Sequence, residues 1–382
     1  MLGFGRRRRE QEEAGALPPV VVPADAVRPG EDDRALVRAL IRYVNAMRAD
    51  GAYAFAELHP DAVSAYAVDA YLAKVARGGH AAYLAEPPSP TLLERCQEGL
   101  ERVAPALAKV HRSAARAVER SPGGAETVAT ARLDKAFAKA GGDADTDAPL
   151  AGLIAAIDGL EVVPADALQD RLAEVAAANP ARPARLRDLR IAELHAGLTS
   201  PVAAGTAVIL NRTIGRPLPF ALRPLGGDSD GGEAEAQWDV ETAKETFRAA
   251  WYPDRLVLFR ARAGSDHAGL GHLAHDKIEL TCDWADRSHA ALAAWLGLEE
   301  LGHVERLETI VFDRRKTLKR SGAEAVSFHL ALEGMRDLAL VVFPESCAIV
   351  DPRTNERLAE YAHATLDAEA AAHARRLAVL IG

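Results

Sequence analysis

The chain has 382 residues, 49% of them hydrophobic and 26% charged, and a formal net charge of −9. This composition suits a globular protein of two or three domains. The acidic balance excludes a general nucleic-acid coat, which carries an excess of Lys and Arg. Cys96, Cys282 and Cys347 stand far apart without a CxxC pair, so neither a disulfide framework nor a zinc ribbon is expected, and a reducing, cytoplasmic setting is.

Residues 1–32 read as a disordered tail. The run Arg6 to Arg9 is followed by Glu10, Glu12 and Glu13 rather than an apolar stretch, so no secretory signal is read there, and Leu2 excludes N-myristoylation. No apolar run reaches the roughly 18 residues that suggest a membrane span.

Helical spacing begins after Asp32 and Asp33, with Leu36, Val37, Leu40, Ile41, Val44 and Met47 on one stripe. A second helix, with Asp61 as its expected cap, carries Val63, Tyr66, Val68, Tyr71, Leu72 and Val75. Gly78-Gly79 interrupts it, since glycine inside a helix costs about 1 kcal/mol relative to alanine. A third, capped at Thr91, runs past Pro105, which kinks or divides it. After a turn at Ser121 to Gly124, helix resumes to about Ala140. Gly141 to Pro149 is an acidic loop. Leu150 to Ile157, Ala167 to Ala178 and Ala184 to Leu198 read as helices, whereas Val202 to Asn211 fits helix or strand.

Residues 223–237 are glycine-rich and acidic, and form the expected linker. Beyond it "DRLVLFRAR", "DKIELTCDW", "ERLETIVFD", "AVSFHLALE" and "LALVVF" are expected strands, with helices at Arg287 to Leu301 and Asn355 to Leu380. The expected fold is α+β: an all-α N-terminal domain over 33–125, further helices over 126–222, and an α+β domain over 238–382 with a mainly antiparallel sheet.

Tyr66, Tyr71 and then "VARGGHAAYLAE" resemble the signature of a bacterial domain family whose best-known members are DNA-mimic proteins. In that family a valine, a polar pair, Gly-Gly, an aromatic or histidine and a further aromatic follow one another. Here Val75, Gly78, Gly79, His80 and Tyr83 fit, while Ala76, Arg77, Ala82 and Glu86 depart from the pattern. The resemblance covers roughly residues 33–120. It implies a helical domain and a protein partner, such as a DNA-binding protein, or a second copy of the chain. Tyr71, Val75, Gly78, Gly79, His80 and Tyr83 are the residues it assigns to fold or partner binding. Mimicry needs carboxylates spaced like phosphates. Asp61, Asp69, Glu86, Glu94, Glu98 and Glu101 are instead balanced by Lys74, Arg77, Arg95, Arg102, Lys109, Arg112 and Arg116.

The leading reading is therefore a non-catalytic interaction or regulatory protein, with no cofactor, no membrane and no direct nucleic-acid binding. One alternative is a metal-dependent hydrolase using His267, His272 or His275, with Cys282, Asp283 and His289 nearby. Its segment "GSDHAGLGHLAHDK" reads as a loop entering a strand, so the GxGxxA match at Gly269 to Ala274 lacks the helix a dinucleotide needs. A second alternative is a nucleic-acid contact through Arg314, Arg315, Lys316, Lys319 and Arg320, at a strand-to-strand connection without interleaved aromatics. Asp143, Asp145 and Asp147 have calcium-loop spacing, but Ala148 and Ile154 stand where glycine and glutamate are required.

Overall fold

The computed structural model describes residues 17–27, 32–120, 127–142, 144–225, 234–260, 268–319 and 321–381. Residues 1–16 and 28–31 of the expected tail, the turn at Ser121 to Gly124, Asp143, residues 226–233 of the expected linker, His267 and Arg320 lie outside the described residues. The chain divides into two compact units, one running through Leu186 and rejoined from Arg376, the other Arg187–Arg375.

The first unit is helical. Its elements are β1 (Val21–Pro23), α1 (Asp33–Ala49), α2 (Pro60–Ala85), α3 (Pro90–Val103), α4 (Pro105–Arg120), α5 (Thr127–Lys139), α6 (Asp147–Ala155), β2 (Glu161–Val163) and α7 (Leu168–Ala177). Asp32 caps α1, its carboxylate accepting from the Arg34 N–H at 3.0 Å. His59 and Ser89, rather than Asp61 and Thr91, cap α2 and α3, with Pro60 and Pro90 at the first helical position. Pro105 divides two helices, as a residue without an N–H does best. Apolar stripes meet in one core containing Leu40, Val44, Met47, Val68, Tyr71, Leu100 and Ile154. At Gly99 the helices α2 and α3 approach closely, and a β-carbon there would stand 2.7 Å from Val68 Cγ2.

Two expectations for this region need correction. The tail does not extend to residue 32, because Val20, Val21 and Val22 are buried. The stretch 126–222 also holds more than helices, since β2 pairs in parallel with β1, Val22 opposite Val162. An apolar triplet finds burial in a short strand pair that no alternation announces.

The second unit is α+β. It holds α8 (Arg182–Thr199) from Arg187 onward and α9 (Pro201–Ile214). The strands β3 (Phe220–Pro224), β4 (Ala236–Thr242), β5 (Thr246–Trp251), β6 (Arg255–Arg260) and β7 (Ala268–Ala274) come next. Then follow α10 (His275–Arg287), α11 (Ala290–Glu300), β8 (Leu307–Thr317), β9 (Glu324–Leu332), β10 (Leu338–Val342), β11 (Ser346–Val350), β12 (Arg357–Ala362) and α12 (His363–Ile381, in this unit to Arg375). There are two five-stranded antiparallel sheets, β3-β4-β5-β6-β7 and β12-β11-β10-β9-β8. The first packs Val240, Phe247, Leu256 and Leu258 against Ala204 and Val208 of α9. The second packs Phe328, Leu330, Leu340 and Ile349 against Ala290, Ala293 and Leu298 of α11.

Residues 202–211 are helix, begun by the Ser200 cap and Pro201 and ended by Gly215 in the left-handed conformation. The expected linker is instead flanked by paired strands, Pro224 opposite Trp238 in one sheet. "DKIELTCDW" is not a strand but most of α10, burying Ile278, Thr281, Trp284 and Ala285 at helical spacing. The last helix starts at His363, because Arg357–Ala362 completes the second sheet beside β11.

Candidate functional site

The motif residues converge on one buried network in the helical unit. Gly78 (φ −150°, ψ 21°) and Gly79 (φ 65°, ψ −172°) break α2 from inside. The break releases the His80 N–H from the helix ladder, and it donates to Asp134 Oδ1 at 2.8 Å. His80 Nδ1 donates to the same oxygen at 2.7 Å. Because that carboxylate only accepts, Nδ1 carries a proton, and Nε2 meets the Tyr71 hydroxyl at 2.9 Å. Beside it the Tyr83 hydroxyl donates to His111 Nε2 at 3.1 Å, and His111 Nδ1 donates to Gln97 Oε1 at 3.1 Å.

The four rings are sealed, whereas the Asp134 side chain is 43% exposed. His80 and His111 are each 0% exposed, Tyr71 1% and Tyr83 3%. The Tyr71 ring is the hub of edge-on contacts with Tyr83 (4.9 Å between centroids), His111 (5.0 Å) and Phe137 (6.0 Å). Burial pushes the Tyr71 and Tyr83 phenols up and lowers His111 to about 4, with His80 nearby adding to the latter effect. Burial alone would raise the Asp134 carboxyl, but the two bonds from His80 outweigh it and hold it below its ordinary value. The arrangement satisfies every polar ring atom from within the protein.

Val75 is buried on the same side of α2. Ala67, Ala70, Leu92 and Cys96, together with Tyr71 and Tyr83 of the network, line a surface dimple of about 190 Å³. The Lys74–Glu86 ion pair, at 3.1 Å, stands at its edge. Asp134, His111 and Gln97 have no counterpart in the sequence reading. They lie on other helices, and no local pattern marks them.

The other candidates are scattered. His272 lies on β7, and His275 opens α10 with its ring stacked on Trp251 at 4.1 Å. His289 meets Asp367 at 3.0 Å. Among the described residues no group of three or more His, Cys, Asp or Glu converges as metal ligands would. Gly269 and Gly271 are paired opposite Phe259 and Leu258 within the sheet. A helix does follow, contrary to expectation, but these glycines are strand residues and form no turn over a phosphate. Arg314, Arg315 and Lys316 belong to β8 itself rather than to a connection. The cysteines Cys96, Cys282 and Cys347 are free, and no described helix is long and apolar enough to cross a membrane. The chain matches no protein-family model, no curated protein and no solved structure.

Proposed function

We infer that the protein is a non-catalytic, cytoplasmic interaction or regulatory protein whose helical unit, resembling the DNA-mimic domain, recognises a protein partner or a second copy of the chain. One observation carries this reading. The chemically capable residues of the motif, Tyr71, His80 and Tyr83, are spent on internal bonds at 0–3% exposure. They serve to shape a surface. The dimple that Tyr71 and Tyr83 line in part, apolar and edged by one ion pair, is where a partner's apolar side chain fits.

DNA mimicry in the strict sense has less support. Asp61 pairs with Arg102, Asp69 with Arg34, Glu98 with Arg95 at 2.7 Å, and Glu101 with Arg112 at 2.5 Å. A face neutralised in this way lacks the phosphate-like field that a DNA-binding partner reads. Recognition by shape fits better. Ala70 is exposed at the dimple, so Ala70→Arg fills it from a surface position. Affinity capture and sedimentation of the wild type and Ala70→Arg test the reading. Loss of the captured partner or of self-association in a folded variant is expected, and identical behaviour of the two proteins contradicts it.

A further inference from the structure

The second unit carries a basic groove with no part in the network above. It lies among the end of α9, one face of α10, and strands β8 and β9, with a volume of about 600 Å³. Its floor is apolar, with Trp284 and Phe312 at the base and Leu280, 43% exposed, on the lip. Arg212, Arg216, Lys277, Arg314 and Arg315 line it. The single acid among the lining residues, Asp313, accepts from Ser327 Oγ at 2.8 Å and from Arg314 Nε at 3.1 Å, so its charge is already answered. Arg315 pairs with Glu324 at 3.3 Å and lies over the Trp284 ring. Arg212, Arg216 and Lys277 meet no carboxylate among the described residues.

Local structure accounts for part of this charge. Arg212 and Arg216 stand at the C-terminal end of α9, where the helix itself favours a cation. Lys277 does not fit that account. It sits in the first turn of α10, where the positive helix end disfavours a cation. Like charges gathered around one groove repel, and a bound anion relieves the repulsion.

The geometry points to a binding site for an organic phosphate of nucleotide size. Arg212, Arg216 and Lys277 hold the phosphate, and the apolar part of the ligand lies along the exposed Leu280. Guanidinium groups match phosphate oxygens in a two-pronged geometry. The groove falls within the 300–1,000 Å³ or so usual for small-ligand sites. An apolar floor distinguishes it from a site for bare phosphate.

Calorimetric titration of the full chain with ADP, inorganic phosphate and a short single-stranded DNA tests the site. ADP is expected to bind one to one, with inorganic phosphate and the DNA each weaker by roughly tenfold or more. Lys277→Glu and Arg212→Glu are each expected to weaken ADP by roughly tenfold or more, the scale of a charge-assisted bond. Lys244→Glu, at an exposed turn between β4 and β5, should leave it unchanged. Both target side chains are exposed, and circular dichroism verifies that the variants remain folded. Arg212→Gln replaces the reversal if that variant unfolds. The proposal is overturned by no ADP binding, by inorganic phosphate or DNA binding as tightly as ADP, or by Lys244→Glu weakening ADP as much as Lys277→Glu.

Discussion

Gly79 occupies φ 65° and ψ −172°, a backbone region that is essentially glycine's alone, and a β-carbon there would lie 2.9 Å from Asp134 Oδ2. Gly79→Ala is therefore expected to lower the unfolding free energy by on the order of 2 kcal/mol or more, read from urea denaturation. An unchanged midpoint contradicts the role given to the break. His111 provides a second check, through pH. Its folded value, about 4, lies below the ordinary 6.5, so the unfolded chain binds more protons between those values. Stability is complete above pH 6.5 and falls as pH drops toward 4, by on the order of 3 kcal/mol in the limit. The groups around this ring are Tyr83, Gln97, Tyr71 and His80. His111→Gln should flatten that part of the pH profile of thermal unfolding, and a profile as steep as the wild type's contradicts the assignment. At this scale the sequence was half legible. The glycine pair and its neighbours stood out, but Asp134, which explains them, is 54 positions away from His80 in a helix with no distinguishing pattern.

At the scale of elements, periodicity served where one face alone is buried, as in α1, and failed where two periods fit the same residues. In "DKIELTCDW" Ile278, Leu280 and Cys282 alternate like a strand, whereas Ile278, Thr281 and Trp284 recur like a helix. Burial follows the second set, and Leu280 remains exposed. Strand β1 escaped notice because three apolar residues carry no period, and its partner β2 is far along the chain. That pairing makes a specific prediction. Val21 is 0% exposed, so Val21→Asp places an unpaired carboxylate in the core and is expected to cost on the order of 3 kcal/mol or more in thermal or urea unfolding. A tolerated Val21→Asp contradicts the ordered strand.

At the scale of the whole molecule, the two units divide the chemistry. The helical unit holds a polar network of buried rings and a mixed, ion-paired surface. The α+β unit holds two antiparallel sheets and the basic groove. The α+β class and the helical start were legible because they rest on composition and period. The division into units was not, because a glycine-rich acidic stretch looks like a linker whether it joins domains or two strands of one sheet. A mixed helical surface predicts that partner binding weakens little with salt. A log–log salt slope of several units would instead restore a DNA-like acidic face. The central claim, that the His80–Asp134 network serves to build the surface a partner meets, is tested most directly by Asp134→Asn. Its thermal midpoint and its capture of partner should be measured at a temperature where variant and wild type are both folded. The account predicts a lowered midpoint with capture retained. An unchanged midpoint with capture lost would contradict it.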